Sequence, residues 1–171
     1  RRELGKRTIF NLLGPLSNPA SVKRQLVGVF SPDFVEPVAG ALRELGCEKA
    51  LVVHGAGGLD EVSAAGKEAN WAATLEHGEI ALQHATLSAE VHPDLRGGLA
   101  PENAEEMRAL LDGAGRPGHR AAVLINAAAA LFVADRASSV VDAYAMAADS
   151  VDSGAARERL AKLVAVTQSA P

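Results

Sequence analysis

Residues 25–53 read QLVGVFSPDFVEPVAGALRELGCEKALVV, and this stretch decides the fold. The apolar run from Gln25 to Phe30 is typical of a short strand, and Lys49 to Val53 is typical of a second, buried strand. Between them, Ser31 to Leu45 begins with a serine cap and a proline and repeats its apolar residues at helical spacing. A strand, a helix and a strand in about thirty residues form a βαβ unit. We therefore predict two parallel strands joined by a right-handed crossover.

Further elements surround this unit. Thr8 to Leu13 is an apolar turn or short helix, stopped by Gly14-Pro15. Two more strands, Trp71 to Leu75 and Glu79 to Leu82, are joined by a hairpin-like turn. Residues 88–99 lack periodicity and predict a long surface loop, and the remaining segments predict helices at Pro101–Leu111, Arg120–Ala134, Ser139–Ser150 and Gly154–Val166. The pattern indicates one α/β domain with its C-terminal helices packed on the sheet.

Composition excludes several classes of protein. The 171 residues carry a formal net charge of -4, which gives no electrostatic reason to expect nucleic acid. No apolar run reaches the roughly 18 residues of a membrane span. The single cysteine, Cys47, cannot form an internal disulfide and suits a small apolar gap in a protein of a reducing compartment. We expect a soluble cytoplasmic protein without nucleic-acid or membrane partners.

The first residues, Arg1-Arg2-Glu3-Leu4-Gly5, are typical of the last turn of a helix, with basic residues followed by glycine. No initiator methionine precedes them. We therefore expect that this chain is a piece of a longer protein.

A glycine-rich segment follows the second predicted strand directly, where ligands bind in open α/β sheets. It reads His54-Gly55-Ala56-Gly57-Gly58-Leu59-Asp60-Glu61. A dinucleotide fingerprint fits poorly, because Glu61 stands where its third glycine is required, and no Gly-Lys-Ser/Thr of a P-loop follows. His54 is expected to orient this loop rather than to transfer a proton.

The adjacent carboxylates of Asp60 and Glu61 have two interpretations. Mg²⁺ prefers oxygen ligands and is commonly held by one or two carboxylates together with substrate phosphates. Alternatively, Asp60 caps a helix that starts near Val62, with Glu61 in its first turn. The spacing alone leaves both interpretations open.

Three motifs, in this order, carry a resemblance to a known family: RTIFNLLGPLSNP at Arg7 to Pro19, VHG with GLDEVS between Val53 and Ser63, and NAAAAL at Asn126 to Leu131. They resemble the anthranilate phosphoribosyltransferases. The resemblance implies a Mg²⁺-dependent homodimer of tryptophan biosynthesis. Residues 1–171 then correspond to the C-terminal part of its α/β catalytic domain, whose fold is shared with pyrimidine nucleoside phosphorylases, without the helical N-terminal domain.

The resemblance also implies roles for single residues. Asp60 and Glu61 match the acidic pair that ligates a magnesium bound with phosphoribosyl pyrophosphate. Arg1 matches the arginine that contacts the anthranilate carboxylate. Gly14 and Pro15 match the anthranilate-lining turn; the alternative is a structural turn, and both roles can hold. No catalytic side chain is assigned, because the aniline-type amine is neutral at pH 7 and needs no strong base.

Other residues receive structural interpretations. Asn126, on an otherwise apolar helix, is expected to be a buried hydrogen-bonding residue. The remaining histidines are expected to be ordinary loop or surface residues: His77, His84, His92 and His119. Two alternative functions remain, a nucleoside phosphorylase-like enzyme and a non-catalytic relative that binds nucleic acid. The isolated chain is expected to be inactive, because the glycine-rich pyrophosphate loop of the family is not in this sequence.

Overall fold

The computed structural model describes residues 9–64, 70–85 and 95–169. The chain divides into two compact units. The first contains the described residues 9–63 and 70–85, and the second contains residues 95–169 with Ala64. The first unit is built of strands and helices and the second of helices, so the predicted α/β class is confirmed. That both units belong to one catalytic domain stays a prediction.

The first unit opens with a short helical segment. A 3-10 turn at Ile9–Asn11 leads into α1, Leu13–Leu16. Helix α1 therefore contains Gly14-Pro15, where the sequence predicts a stop. Proline is tolerated in the first turn of a helix, because the amides there have no hydrogen-bond partner within the helix. Leu12 and Leu16 pack against the core of the unit.

Within the described residues, four strands form one mixed sheet in sequence order. The first two strands are parallel, as predicted, and the third and fourth pair antiparallel. The pairing aligns Val27 with Val52 and Gly28 with Val53. The strands are β1 Arg24–Gly28, β2 Lys49–His54, β3 Asn70–Glu76 and β4 Glu79–Ala85.

The crossover helix begins as the sequence predicts. Ser31 caps a 3-10 turn at Pro32–Phe34, where its hydroxyl accepts from the Asp33 amide, and α2 then runs over Val35–Glu44. Gly46, with a φ of +77°, ends the helix in the left-handed region that glycine adopts at little cost. The apolar face of α2 contacts the sheet through four buried residues: Val35, Val38, Ala39 and Leu42.

Cys47 also belongs to this core and lies between α2 and β2. Its thiol is buried and lies 3.2 Å from the Lys23 carbonyl, to which it donates. Burial raises the pKa of the Cys47 thiol above its ordinary value, since the thiolate loses hydration there. The prediction of a small buried gap filler is confirmed.

The hairpin between β3 and β4 is longer than the sequence predicts but turns at the expected place. His77 and Gly78 form a two-residue turn with φ values of +51° and +82°. Positive φ at both turn residues matches the twist of the flanking strands. His77 is exposed, as predicted.

The second unit contains four described helices, which agree with the prediction except at their ends. They are α3 Ala100–Leu111, α4 Pro117–Val133, α5 Val140–Asp152 and α6 Ala155–Ser169. α4 begins three residues before the predicted Arg120, because Pro117 suits a first helical turn. Small residues, Ala128 and Ala143 among them, are fully buried and allow helices α4 and α5 to approach closely. None of the described helices combines the length and the apolar character that crossing a membrane requires.

His119 differs from the surface residue that the sequence predicts. It lies in the first turn of α4, with its side chain only 16% exposed and Nδ1 3.3 Å from the Glu106 carboxylate. Arg116 Nη2 lies 3.1 Å from the same Nδ1, and the Arg116 amide donates to Glu106. That backbone hydrogen bond and the Arg116 guanidinium hold the pKa of Glu106 below its ordinary value. The sequence pattern does not show this contact, because the partners belong to different helices.

We predict that Leu42→Ala lowers the free energy of unfolding by about 2–5 kcal/mol, the range for removing a buried leucine side chain. Leu42 is 0% exposed in the core beneath α2. Leu45→Ala is the matched control one turn later, at 61% exposure. Urea denaturation followed by circular dichroism measures both; equal losses for the two variants would contradict the described packing.

Candidate functional site

The candidate site consists of His54, the last residue of β2, and the loop that follows it, residues 55–63. Gly57 and Gly58 take φ values of +77° and +84°, a left-handed backbone that glycine adopts without steric cost. They reverse the chain, so that Gly55 and Leu59 pair as an antiparallel bridge. The Gly55 amide donates to the Leu59 carbonyl over 2.8 Å, and the Leu59 amide donates back over 3.2 Å. The predicted glycine turn is confirmed, and it leads the chain to the acidic pair.

His54 anchors the start of this loop. Its ring is buried, and Nδ1 lies 2.8 Å from the carbonyl oxygen of Val29, just past the end of β1. A carbonyl can only accept, so Nδ1 carries the proton in this contact. The ring is therefore held by the neighbouring strand, in agreement with the prediction that His54 orients the loop.

The end of the loop is fixed by a side chain that imitates a backbone. Asn70 is buried, its Oδ1 accepts from the Ser63 amide over 2.7 Å, and its Nδ2 donates to the Ser63 carbonyl over 3.0 Å. One amide side chain thus satisfies both main-chain groups of Ser63. Leaving such buried groups unpaired would cost about 1–3 kcal/mol each.

Asp60 and Glu61 lie between these two anchors. Both residues are exposed, and residues 61–64 are not helical, so the interpretation of Asp60 as a helix cap is wrong. The carboxyl group of Glu61 is nevertheless partly shielded from solvent. This burial raises the pKa of Glu61 above its ordinary value, and the negative charge of Asp60 raises it further.

A pair of repelling carboxylates on a turn has the right chemistry for a divalent cation. In the described part of the chain, no group of three or more His, Cys, Asp or Glu residues is arranged to hold a metal ion. Asp60 and Glu61 could therefore supply two oxygen ligands but not a complete protein cage. Mg²⁺ tolerates this arrangement, because it retains waters and completes its coordination with substrate phosphates.

Of the residues predicted to contact anthranilate, Gly14 and Pro15 lie in the short helix α1. Pro15 lines a cavity of about 150 Å³ with Lys23, Gln25 and Cys47, at the amino ends of β1 and β2. The acidic loop instead follows the carboxyl end of β2. The structure thus does not place the Gly14-Pro15 turn beside the acidic pair. Arg1 lies outside the described residues, and the role of all three residues stays a prediction.

Asn126 is half-buried within α4, and its Nδ2 donates to the Ala122 carbonyl one turn earlier, over 2.9 Å. It is therefore less buried than the sequence predicts. This hydrogen bond lies within its own helix, which side-chain amides make when they lie along the helix surface.

Two contributions to the site escape the sequence reading. The first is the carbonyl of Val29, which accepts a hydrogen bond from His54. No side-chain pattern in the sequence indicates a backbone acceptor. The second is Asn70, a polar residue immediately before a predicted strand, where strand propensity is low. An asparagine at the start of a strand is the sequence signal that could have indicated a side chain hydrogen-bonded to the backbone.

Comparison with known proteins identifies the family. A model described as the glycosyl transferase family, a/b domain, matches residues 1–157. The chain belongs to this family.

Curated relatives of this chain carry a more specific name. An anthranilate phosphoribosyltransferase of Bradyrhizobium sp. (strain ORS 278) is 51% identical over 174 residues, covering 99% of this chain and 51% of the relative. One of Rhodopseudomonas palustris (strain BisB5) is 49% identical over 178 residues, covering 98% and 50%. The chain thus spans about half the length of the curated relatives it matches.

Solved structures agree with the fold. The anthranilate phosphoribosyltransferase of Thermus thermophilus is 37% identical with a TM-score of 0.83, over 96% of this chain and 49% of that one. The enzyme of Saccharomyces cerevisiae has a TM-score of 0.82 at 23% identity, over 99% and 50%, and supports the fold alone. The names of these relatives do not favour the phosphorylase-like or nucleic-acid-binding alternatives.

We predict that Asp60→Asn lowers the pKa of Glu61 without restoring its ordinary value, because burial, the larger cause, remains. Carboxyl ¹³C shifts followed across pH measure this pKa. The carboxyl of Asp142 is the control, since the Ser138 and Ser139 hydroxyls lower its pKa by local hydrogen bonds that the substitution leaves intact.

The raised pKa of Glu61 also makes the stability of the fold depend on pH. A carboxyl whose pKa is higher in the folded state binds its proton more tightly there, so its contribution to stability falls as pH rises from the unfolded to the folded pKa. Asp60→Asn should shrink this loss. A Glu61 pKa that stays unchanged in the variant would contradict the coupling of the two carboxylates.

Proposed function

We propose that the protein containing this chain transfers phosphoribosyl from phosphoribosyl pyrophosphate to the amine of anthranilate, releasing pyrophosphate, in tryptophan biosynthesis. The observation that carries the proposal is the acidic pair of Asp60 and Glu61, presented by a glycine turn at the carboxyl end of a parallel strand. Membership of the glycosyl transferase family and 51% identity to a named anthranilate phosphoribosyltransferase support this reaction class.

Asp60 and Glu61 are proposed to hold Mg²⁺ together with the pyrophosphate of the substrate. When bound, the cation neutralises charge that develops on the leaving pyrophosphate. The chain's own contribution is to present two carboxylates on a turn fixed at both ends, by His54 on Val29 and by Asn70 on Ser63. Fixed ligands avoid reorganisation during the reaction.

The anthranilate amine attacks the anomeric carbon of the ribose. The new carbon–nitrogen bond forms as the bond from that carbon to pyrophosphate breaks, and the amine proton passes to solvent. The transition state has oxocarbenium character, as in glycoside cleavage. Catalysis then comes mainly from holding both substrates in line. No strong protein base is required, because the aniline-type amine is already neutral at pH 7.

Recognition of anthranilate is assigned to Arg1, Gly14 and Pro15. A guanidinium can pair bidentately with a planar carboxylate, which suits Arg1. Gly14 and Pro15 are assigned because their motif matches the anthranilate-lining turn of the anthranilate phosphoribosyltransferases.

We further propose that the natural protein is a cytoplasmic homodimer and that residues 1–171 form the C-terminal part of its α/β catalytic domain. Because the chain spans about half of its relatives' length, we propose that these residues alone do not turn over substrate.

We predict that Asp60→Ala combined with Glu61→Ala, made in the natural protein, lowers kcat/KM sharply and raises the Mg²⁺ concentration required for half-maximal activity. Removing both carboxylates takes away the two protein ligands that this chain is proposed to supply. Initial rates of phosphoribosyl anthranilate formation across a magnesium titration measure the change.

Glu36→Ala with Glu48→Ala is the control, because it removes the same charge from two exposed carboxylates of the same unit. An unchanged magnesium profile in the Asp60/Glu61 variant would reject the metal assignment. Absence of transfer by the unmodified natural protein would reject the proposed function.

We predict that Arg1→Ala raises the KM for anthranilate and leaves the KM for phosphoribosyl pyrophosphate unchanged, since only the carboxylate contact is removed. Loss of a charge-assisted hydrogen bond should raise that KM by about tenfold or more. Steady-state kinetics with each substrate varied in turn separate the constants. A change confined to phosphoribosyl pyrophosphate would assign Arg1 to the other substrate.

A further inference from the structure

Gly28, the last residue of β1, lies against the backbone of the acidic pair. A methyl group built on its Cα would collide with the carbonyl oxygen of Asp60 and approach the Asp60 Cα to 3.3 Å. The obstacle is main chain, which cannot rotate away as a flexible side chain can. Any residue other than glycine at this position therefore forces the strand end and the loop apart.

The strand itself does not require glycine here. Gly28 has no positive φ, so its backbone conformation is open to any residue. It pairs in register with Val53, and the next amide, of Val29, donates to the Val53 carbonyl over 2.8 Å. Because β1 is held by the sheet and Asp60 is exposed, the loop is the part that yields.

A second glycine meets the other acidic residue. A methyl group on Gly55 would collide with the carbonyl oxygen of Glu61 and lie 3.0 Å from the Ser63 amide nitrogen. Gly55 also has no positive φ. Gly28, at the end of β1, and Gly55, directly after β2, thus occupy positions where any side chain would collide with the carbonyls of two successive carboxylate-bearing residues.

We infer that Gly28 and Gly55 are positioning residues that set where the Asp60 and Glu61 carboxylates stand. This inference rests on the proposed function, since it concerns the magnesium that these carboxylates are proposed to hold. Because the two glycines have no side chains, the backbone of Asp60 and Glu61 can lie directly against the carboxyl ends of β1 and β2. Their effect is transmitted through the main chain and not through contact with a substrate.

The geometry of Mg²⁺ makes such seating consequential. The ion demands nearly ideal octahedral coordination at about 2.0–2.1 Å, and displacement of a catalytic group by about 1 Å can cost about 100-fold in rate. The collision at Gly28 is larger than small adjustments of a neighbour can absorb. A methyl group there therefore shifts the carboxylate of Asp60 while leaving its chemistry intact.

The test compares three single substitutions in the natural protein: Gly28→Ala, Gly55→Ala and Gly40→Ala. Gly40 lies in α2, and a methyl group there meets nothing within 4 Å, so it controls for the substitution itself. Each variant is titrated with MgCl₂, by initial rates and by calorimetry in the presence of phosphoribosyl pyrophosphate. The KM for anthranilate and the circular dichroism spectrum are also measured.

We expect Gly28→Ala and Gly55→Ala to weaken magnesium binding in both measurements by about 10- to 100-fold, the range for changing residues that position metal ligands, with activity recovering at high Mg²⁺. The KM for anthranilate and the spectrum should stay unchanged, and Gly40→Ala should match the unmodified protein. If Gly28→Ala does not fold, Gly55→Ala decides the question by the same readouts.

Three results would overturn the inference: unchanged magnesium affinity in the folded variants, a uniform loss of kcat at every Mg²⁺ concentration, or loss of folding in both glycine variants. The last two would make the glycines structural. A natural protein without magnesium-dependent transfer would overturn the proposed function and this inference together. If the natural protein requires magnesium for transfer and the glycine variants show the same magnesium dependence, only the inference is overturned.

Discussion

The parallel pairing of β1 with β2 is the constraint on which the candidate site depends. It places Val29 beside the end of β2, so that the Val29 amide donates to Val53 and its carbonyl accepts from the His54 ring, each over 2.8 Å. The imidazole continues the ladder of hydrogen bonds by one step, after the backbone of β2 has turned away. The loop is therefore attached to the sheet before its glycines reverse the chain.

This attachment opposes an unfavourable arrangement of charge. Asp60 and Glu61 are adjacent in sequence, and both burial and mutual repulsion raise the pKa of Glu61. A sequence selected for stability alone would avoid two carboxylates at such a turn. An unfavourable local arrangement that the surrounding structure compensates is typical of a functional site. Here the support comes from the backbone, through the sheet edge and through Asn70.

The fold could largely be predicted from the sequence, and the site only in part. The helical spacing of Val35, Val38 and Leu42 reports the face that α2 buries, because one helix face meets one sheet. The glycine turn was visible because positive φ favours glycine. The hydrogen bond from His54 to Val29 was not, since a backbone carbonyl has no sequence signature. The burial of His119 beside Glu106 has no sequence signature, because these two residues lie on different helices.

The pair formed by Ser63 and Asn70 has a consequence for how this protein can vary. Because the Asn70 side chain satisfies both main-chain groups of Ser63, these two hydrogen bonds fix the end of the acidic loop. Insertions or deletions between these two residues need not reach Asp60 and Glu61. The segment between them is thus a place where relatives could diverge in length while the chemistry of the acidic loop stays under separate selection.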